Sequence, residues 1–129
     1  MRGIPRSATR LALFCLLAAA CAPTAVRTAG DIGYTRRGAT ALVPAQVPEV
    51  FESTRAVFQE MGIELTDRGG SALGNDITVT GRRGNADVLV AIERETGASS
   101  EVFVRVREGR AEYDRELAGE ILARIVAKR

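Results

Sequence analysis

The chain has 129 residues, with 46% apolar and 26% charged side chains, which is the length and balance of a single globular domain. It contains no His and no Trp, so imidazole bases, His-containing triads and His-ligated metals are excluded. Its two cysteines, Cys15 and Cys21, are too few for a cysteine metal cluster or a disulfide framework.

The first element is an address. Arg2, Arg6 and Arg10 make a basic start, and residues 11–20 (LALFCLLAAA) are an unbroken apolar run. Ten residues are about half of what a membrane-spanning helix needs. A basic start, a short apolar core and small residues at its end read as a secretory signal peptide over residues 1–20.

The end of that run, Leu16-Leu17-Ala18-Ala19-Ala20-Cys21, resembles the lipobox of bacterial lipoproteins. The resemblance implies lipidation of the Cys21 thiol, cleavage just before it and acylation of the new amino group. The alternative is plain secretion after an Ala-x-Ala site. Under lipidation Cys15 leaves with the signal and Cys21 becomes a thioether, so no thiol remains. Three of the 18 basic residues and none of the 16 acids lie in residues 1–20, leaving 15 against 16, a net of −1. The basic balance of the whole chain therefore belongs to the export signal, and no nucleic-acid partner is implied.

Residues 21–37 are expected to be the lipidated Cys and a flexible tether, with Pro23, Gly30, Gly33 and no regular period. As a coil, such a length spans about 20–24 Å. The other reading is an ordered edge segment in which Ile32 and Tyr34 dock locally.

A single domain is expected over residues 38–129. Residues 39–43 (ATALV) read as a strand. Val47, Val50, Phe51, Thr54, Val57, Phe58 and Met61 then form one helical stripe. Pro48 suits its first turn, Glu49 its positive end and Gly62 its stop. Residues 63–66 alternate, 69–75 (GGSALGN) read as a loop, 77–80 alternate again, and 81–85 (GRRGN) read as a turn. Val88, Val90 and Ile92 share one strand face; Val102, Val104 and Val106 share another; residues 95–99 form the hairpin between them. Leu117, Ala118, Ile121, Leu122 and Ile125 make a second helical stripe. The expected fold is α+β, an antiparallel four- to five-stranded sheet with two helices packed on one face, in the order β-α-β-β-β-β-α.

These elements resemble a group of small bacterial lipoproteins known only as a domain of unknown function. The resemblance rests on residues 47–62 (VPEVFESTRAVFQEMG), 102–106 (VFVRV) and 113–125 (YDRELAGEILARI). It implies a lipobox, a short tether and a β-α-β4-α domain. Family members often carry a Gly-x-Phe-Gly-Asp-like loop before the last helix, and here residues 108–113 (EGRAEY) stand there. The family brings no catalytic residues.

The residues themselves argue for binding rather than catalysis. The glycines of 69–74 fit neither a dinucleotide nor a P-loop pattern, and no helix follows them. Acid pairs for glycoside hydrolysis need a cleft, and no acid here sits in an apolar setting. Thr78, Ser99 and Ser100 have no His or Lys near them to act as a base. No enzyme, cofactor or metal site is expected. If Val102 and Val104 face the helices, Phe103 faces out, and pairing Val90 with Val104 sets Ala91 beside Phe103 and Leu89 beside Arg105. Phe103, Leu89 and Ala91 are therefore a candidate contact patch, against the alternative of scattered surface residues. Arg82, Arg83, Arg105 and Arg107 are candidate anion contacts, against the alternative of a solvated face of paired charges. The expected role is a lipid-anchored, periplasm-facing interaction or structural module, with another envelope protein as partner; the alternative is a small-ligand or anion-binding domain. Ala22, where Asp would signal inner-membrane retention in some systems, favours the outer membrane.

Overall fold

The computed structural model describes residues 29–71, 73–110 and 112–128. The expected signal peptide, Cys21 and the first part of the expected tether lie outside the described residues. The elements are β1 (Gly33–Tyr34), β2 (Gly38–Val43), α1 (Val47–Met61), β3 (Glu64–Gly70), β4 (Asp76–Arg83), β5 (Ala86–Arg94), β6 (Ser100–Glu108), β7 (Glu112–Tyr113) and α2 (Arg115–Lys128). The longer elements follow the expected β-α-β-β-β-β-α order, and two two-residue strands enlarge the sheet.

The sheet runs β1-β2-β6-β5-β4-β3, with β7 also paired to β6, and every pairing is antiparallel. Strands β3 to β6 form a meander. Strand β2 joins its far side, so α1 crosses the sheet face between β2 and β3. Helix α1 packs on β3, β4 and β5, and α2 packs on β2 and β6 and against α1. Both helices lie on one face.

Alternation fixes which strand residues meet them. Ala39, Ala41 and Val43, then Ile77 and Val79, then Val88, Val90 and Ile92, then Val102, Val104 and Val106 are buried. From α1 come Val47, Val50, Val57 and Phe58, and from α2 come Ala118, Ile121, Leu122 and Ile125. This is one apolar layer between a helical pair and a sheet. Thr54 sits in it because its hydroxyl donates to the Val50 carbonyl at 2.8 Å.

The ends of α1 are as the residues predict. Pro48 stands in the first turn, and Gly62 stops the helix at φ 69°. The Ile63 N–H then returns to the Phe58 carbonyl at 2.8 Å, which buries Ile63. Asp114 caps the start of helix α2, its carboxylate accepting from the Leu117 N–H at 2.9 Å.

Three boundaries differ from expectation. The 69–75 loop is shorter, because β3 continues through Gly69 and Gly70 opposite Thr78 and Ile77. A bulge between Leu65 and Asp67 resets its register. The 81–85 turn contracts to Gly84 and Asn85, with Arg83 still paired to Ala86. Gly84 at φ 60° supplies the first position of a type II′ turn. Residues 30–37, expected as part of the tether, are folded onto the sheet. Gly33 and Tyr34 pair with Thr40 and Ala39, the Gly30 N–H donates to the Leu42 carbonyl at 2.7 Å, and Ile32 packs against the core. The folded unit therefore includes residues 30–37, with Ile32 packed against the core and Tyr34 lying on Gly119 of α2.

Candidate functional site

The other face of the sheet carries no element among the described residues. Its register arranges the side chains in four rows across the strands. The first row is Leu42, Glu101, Glu93 and Asp76. The second is Thr40, Phe103, Ala91 and Thr78, with Gly33 and Gly69 at its ends. The third is Gly38, Arg105, Leu89, Thr80 and Asp67. The fourth is Tyr113, Arg107, Asp87, Arg82 and Glu64.

The candidate patch is assembled as the alternation requires. Phe103 pairs with Ala91, Leu89 pairs with Arg105, and Val90 pairs with Val104. Phe103, Leu89 and Ala91 are half-buried by their neighbours, whereas Val90, Val102 and Val104 are fully buried beneath the helices. Thr40 and Thr78 flank Phe103 and Ala91 and extend the small, weakly polar middle of the face.

The four candidate arginines are not brought to one point. Arg82, Arg105 and Arg107 lie on the open face. Arg83 pairs with Ala86, a helix-side residue, and points to the other face. Asp87 stands between Arg107 and Arg82 in the fourth row, and Arg82 Nε approaches its carboxylate at 3.3 Å. An anion would meet that carboxylate. Arg107 lies over the Tyr113 ring at 5.9 Å and donates to the Arg110 carbonyl, while its Nε is buried without a partner.

Two of the three hydroxyls weighed as nucleophiles are engaged in holding the fold. Ser100 is buried and donates to the Ala45 carbonyl at 2.7 Å, and Ser99 and Thr96 share a hydrogen bond of 2.7 Å in the hairpin loop. Thr78 lies in the second row of the open face.

Among the described residues, two of the clefts lie on the helical side. One of about 700 Å³ lies between the end of α1, the start of α2 and the β4–β5 turn, lined by Glu60, Arg83, Glu108, Glu116, Glu120 and Arg124. Its carboxylates are exposed; Glu60 is paired with Lys128 and Glu120 with Arg124. The other, about 620 Å³, lies between α1 and β3, where the Phe51 ring is covered by Arg68 at 4.5 Å. Among the described residues no group of His, Cys, Asp and Glu is placed to hold a metal ion. No helix among them is long and apolar enough to cross a membrane.

The residue that sequence reasoning missed is Gly119. Tyr34 lies against it, with ring atoms 2.9 Å from where a Cβ would stand. A small residue inside a helical stripe is the signal that marks such a contact. Compared with models of known protein families the chain matches none, and compared with curated proteins it matches none.

Proposed function

We propose that the protein is a lipid-anchored bacterial envelope protein whose domain is a non-catalytic interaction or structural module facing the periplasm. The observation that carries this reading is the sequence Leu16-Leu17-Ala18-Ala19-Ala20-Cys21 at the end of a ten-residue apolar run behind three arginines. Acyl chains contribute about 0.8 kcal/mol per buried CH₂, so several of them on Cys21 anchor a small domain stably. Ala22 favours sorting to the outer membrane.

The domain supports a binding role through its open sheet face. Phe103, Leu89 and Ala91 form a contiguous apolar group there, bordered by charged rows. The helical side holds the core; one of the clefts on it is lined mainly by exposed charges and another by the Phe51 ring under Arg68. The alternative of an anion-binding domain is disfavoured by Asp87, which lies between Arg107 and Arg82.

Cys21→Ser tests the anchor. The variant is expected to accumulate as uncleaved precursor and to take up no labelled fatty acid in cells. Normal cleavage with retention in the membrane fraction would overturn the lipoprotein reading.

A further inference from the structure

We propose that the open sheet face is a self-complementary surface whose partner is a second copy of this chain. The inference rests on the reading of that face as a contact surface and adds the identity of what it contacts.

The argument lies in how charge is distributed along the strands. On the three central strands the first row is wholly acidic: Glu101, Glu93 and Asp76. At the opposite end the same three strands carry Arg105, Arg107 and Arg82 against Asp87, and the edge strand β3 adds Asp67 and Glu64 beside them. Between them lie Phe103, Ala91, Leu89, Thr78 and Thr80. The three central strands are therefore negative at one end, net positive at the other and apolar or weakly polar between, while β3 brings the basic end of the whole face to three charges of each sign.

Two such faces can stack about 10 Å apart in only a few symmetric ways. A two-fold axis parallel to the strands sets acid on acid and repels. A two-fold axis across the strands, passing over Val90, reverses the rows. Glu101 then opposes Arg107 of the other copy, Asp76 opposes Arg82, Phe103 opposes Arg105, and Ala91 opposes Leu89. Each contact occurs twice. The Phe103 and Arg105 pairing sets a guanidinium on an aromatic ring. One opposition is unfavourable, Glu93 against Asp87, and the Asp87 carboxylate already has Arg82 beside it.

The size is adequate. Five strands at about 4.8 Å and four rows at about 6.8 Å give on the order of 650 Å² of projected area. A standard interface buries about 800 Å² per partner.

Charge reversal on the purified full-length chain, read by sedimentation and native mass spectrometry in mild detergent, tests the geometry. Wild type is expected to be a dimer. Glu101→Arg alone and Arg107→Glu alone each place like charges together twice, and each is expected to weaken association roughly tenfold or more. Mixed together, the two variants oppose Arg to Glu at both contacts, so a mixed dimer of wild-type strength is expected. Within one chain residues 101 and 107 stand three rows apart, so that rescue cannot arise inside a monomer. Glu93→Lys removes the unfavourable opposition and is expected to tighten the dimer. A monomeric wild type, or variants that fail to pair when mixed, overturns the proposal. A monomeric wild type that still crosslinks to a different protein through Phe103 overturns the second copy while leaving the contact-surface reading intact.

Discussion

Phe103 and Val104 are neighbours on β6 that meet different surroundings. Val104 is fully buried beneath the helices, and Phe103 stands half-buried on the open face between Thr40 and Ala91. Val104→Ser removes a buried methyl and leaves a hydroxyl in an apolar layer, an expected loss of about 2–4 kcal/mol. Phe103→Ser is expected to cost less than about 1.5 kcal/mol, because part of the ring is in water already. Thermal melts of the two variants check this, and a larger loss for Phe103→Ser would show the facing to be inverted. This pair was legible because strand side chains alternate with a period of two, and the five-residue loop 95–99 leaves little freedom in how Val90 meets Val104. Gly81 was not legible. A glycine inside a turn-like sequence reads as a turn, yet it lies on the helix side of β4, under the Phe58 ring and the Ile63 side chain. A Cβ there would approach both at 2.7 Å and the Glu64 carbonyl at 2.9 Å. Gly81→Ala is expected to lose about 1–3 kcal/mol by overpacking, read as a lower midpoint in urea.

At the scale of elements, the helices were the most readable part of the chain. Their stripes repeat over several turns and their ends carry Pro48, Gly62 and Asp114, each with a local reason to be there. Asp114→Ala removes the acceptor of the Leu117 N–H and is expected to destabilise by about 1 kcal/mol, while Asp114→Asn keeps most of it. Strand β1 was not readable, because two residues have no period. What holds it is the docking of Tyr34 on Gly119, a contact between segments at opposite ends of the chain. Ordinarily Gly→Ala inside a helix gains up to about 1 kcal/mol. Here the added methyl would collide with the Tyr34 ring, so Gly119→Ala is expected to lower the melting midpoint. In a Tyr34→Ala background the same change is expected to be stabilising. A double-mutant cycle measures that reversal of sign, and additive effects would mean that the two residues do not touch in solution.

For the whole molecule, the consequence is that the domain begins before its first long strand. Strand β2 has β6 on one side, and without β1 its other side is a bare edge of unpaired backbone groups. Residues 30–37 cover that edge. They contribute the Gly30 and Thr35 N–H bonds to the Leu42 and Gly38 carbonyls, at 2.7 and 2.8 Å, and the packing of Ile32 against the core. Arg115 adds a bond from its guanidinium to the Thr35 carbonyl at 3.4 Å, which ties the segment to the start of α2. Two shortened chains separate this account from the simpler one in which everything before residue 38 is spacer. A chain starting at residue 29 keeps every one of these contacts, and a chain starting at residue 38 loses them all. For a domain of this size about 1 kcal/mol moves the midpoint by roughly 4–8 °C. Burial of Ile32 and of part of the Tyr34 ring, at about 25 cal/mol per Å², together with the lost ladder bonds, is of the order of 2 kcal/mol. The shorter chain is therefore expected to melt roughly 10 °C lower by circular dichroism. Its β2 edge is also expected to make it more prone to aggregate. Equal midpoints would mean that residues 29–37 contribute nothing to the fold, and the boundary would return to residue 38.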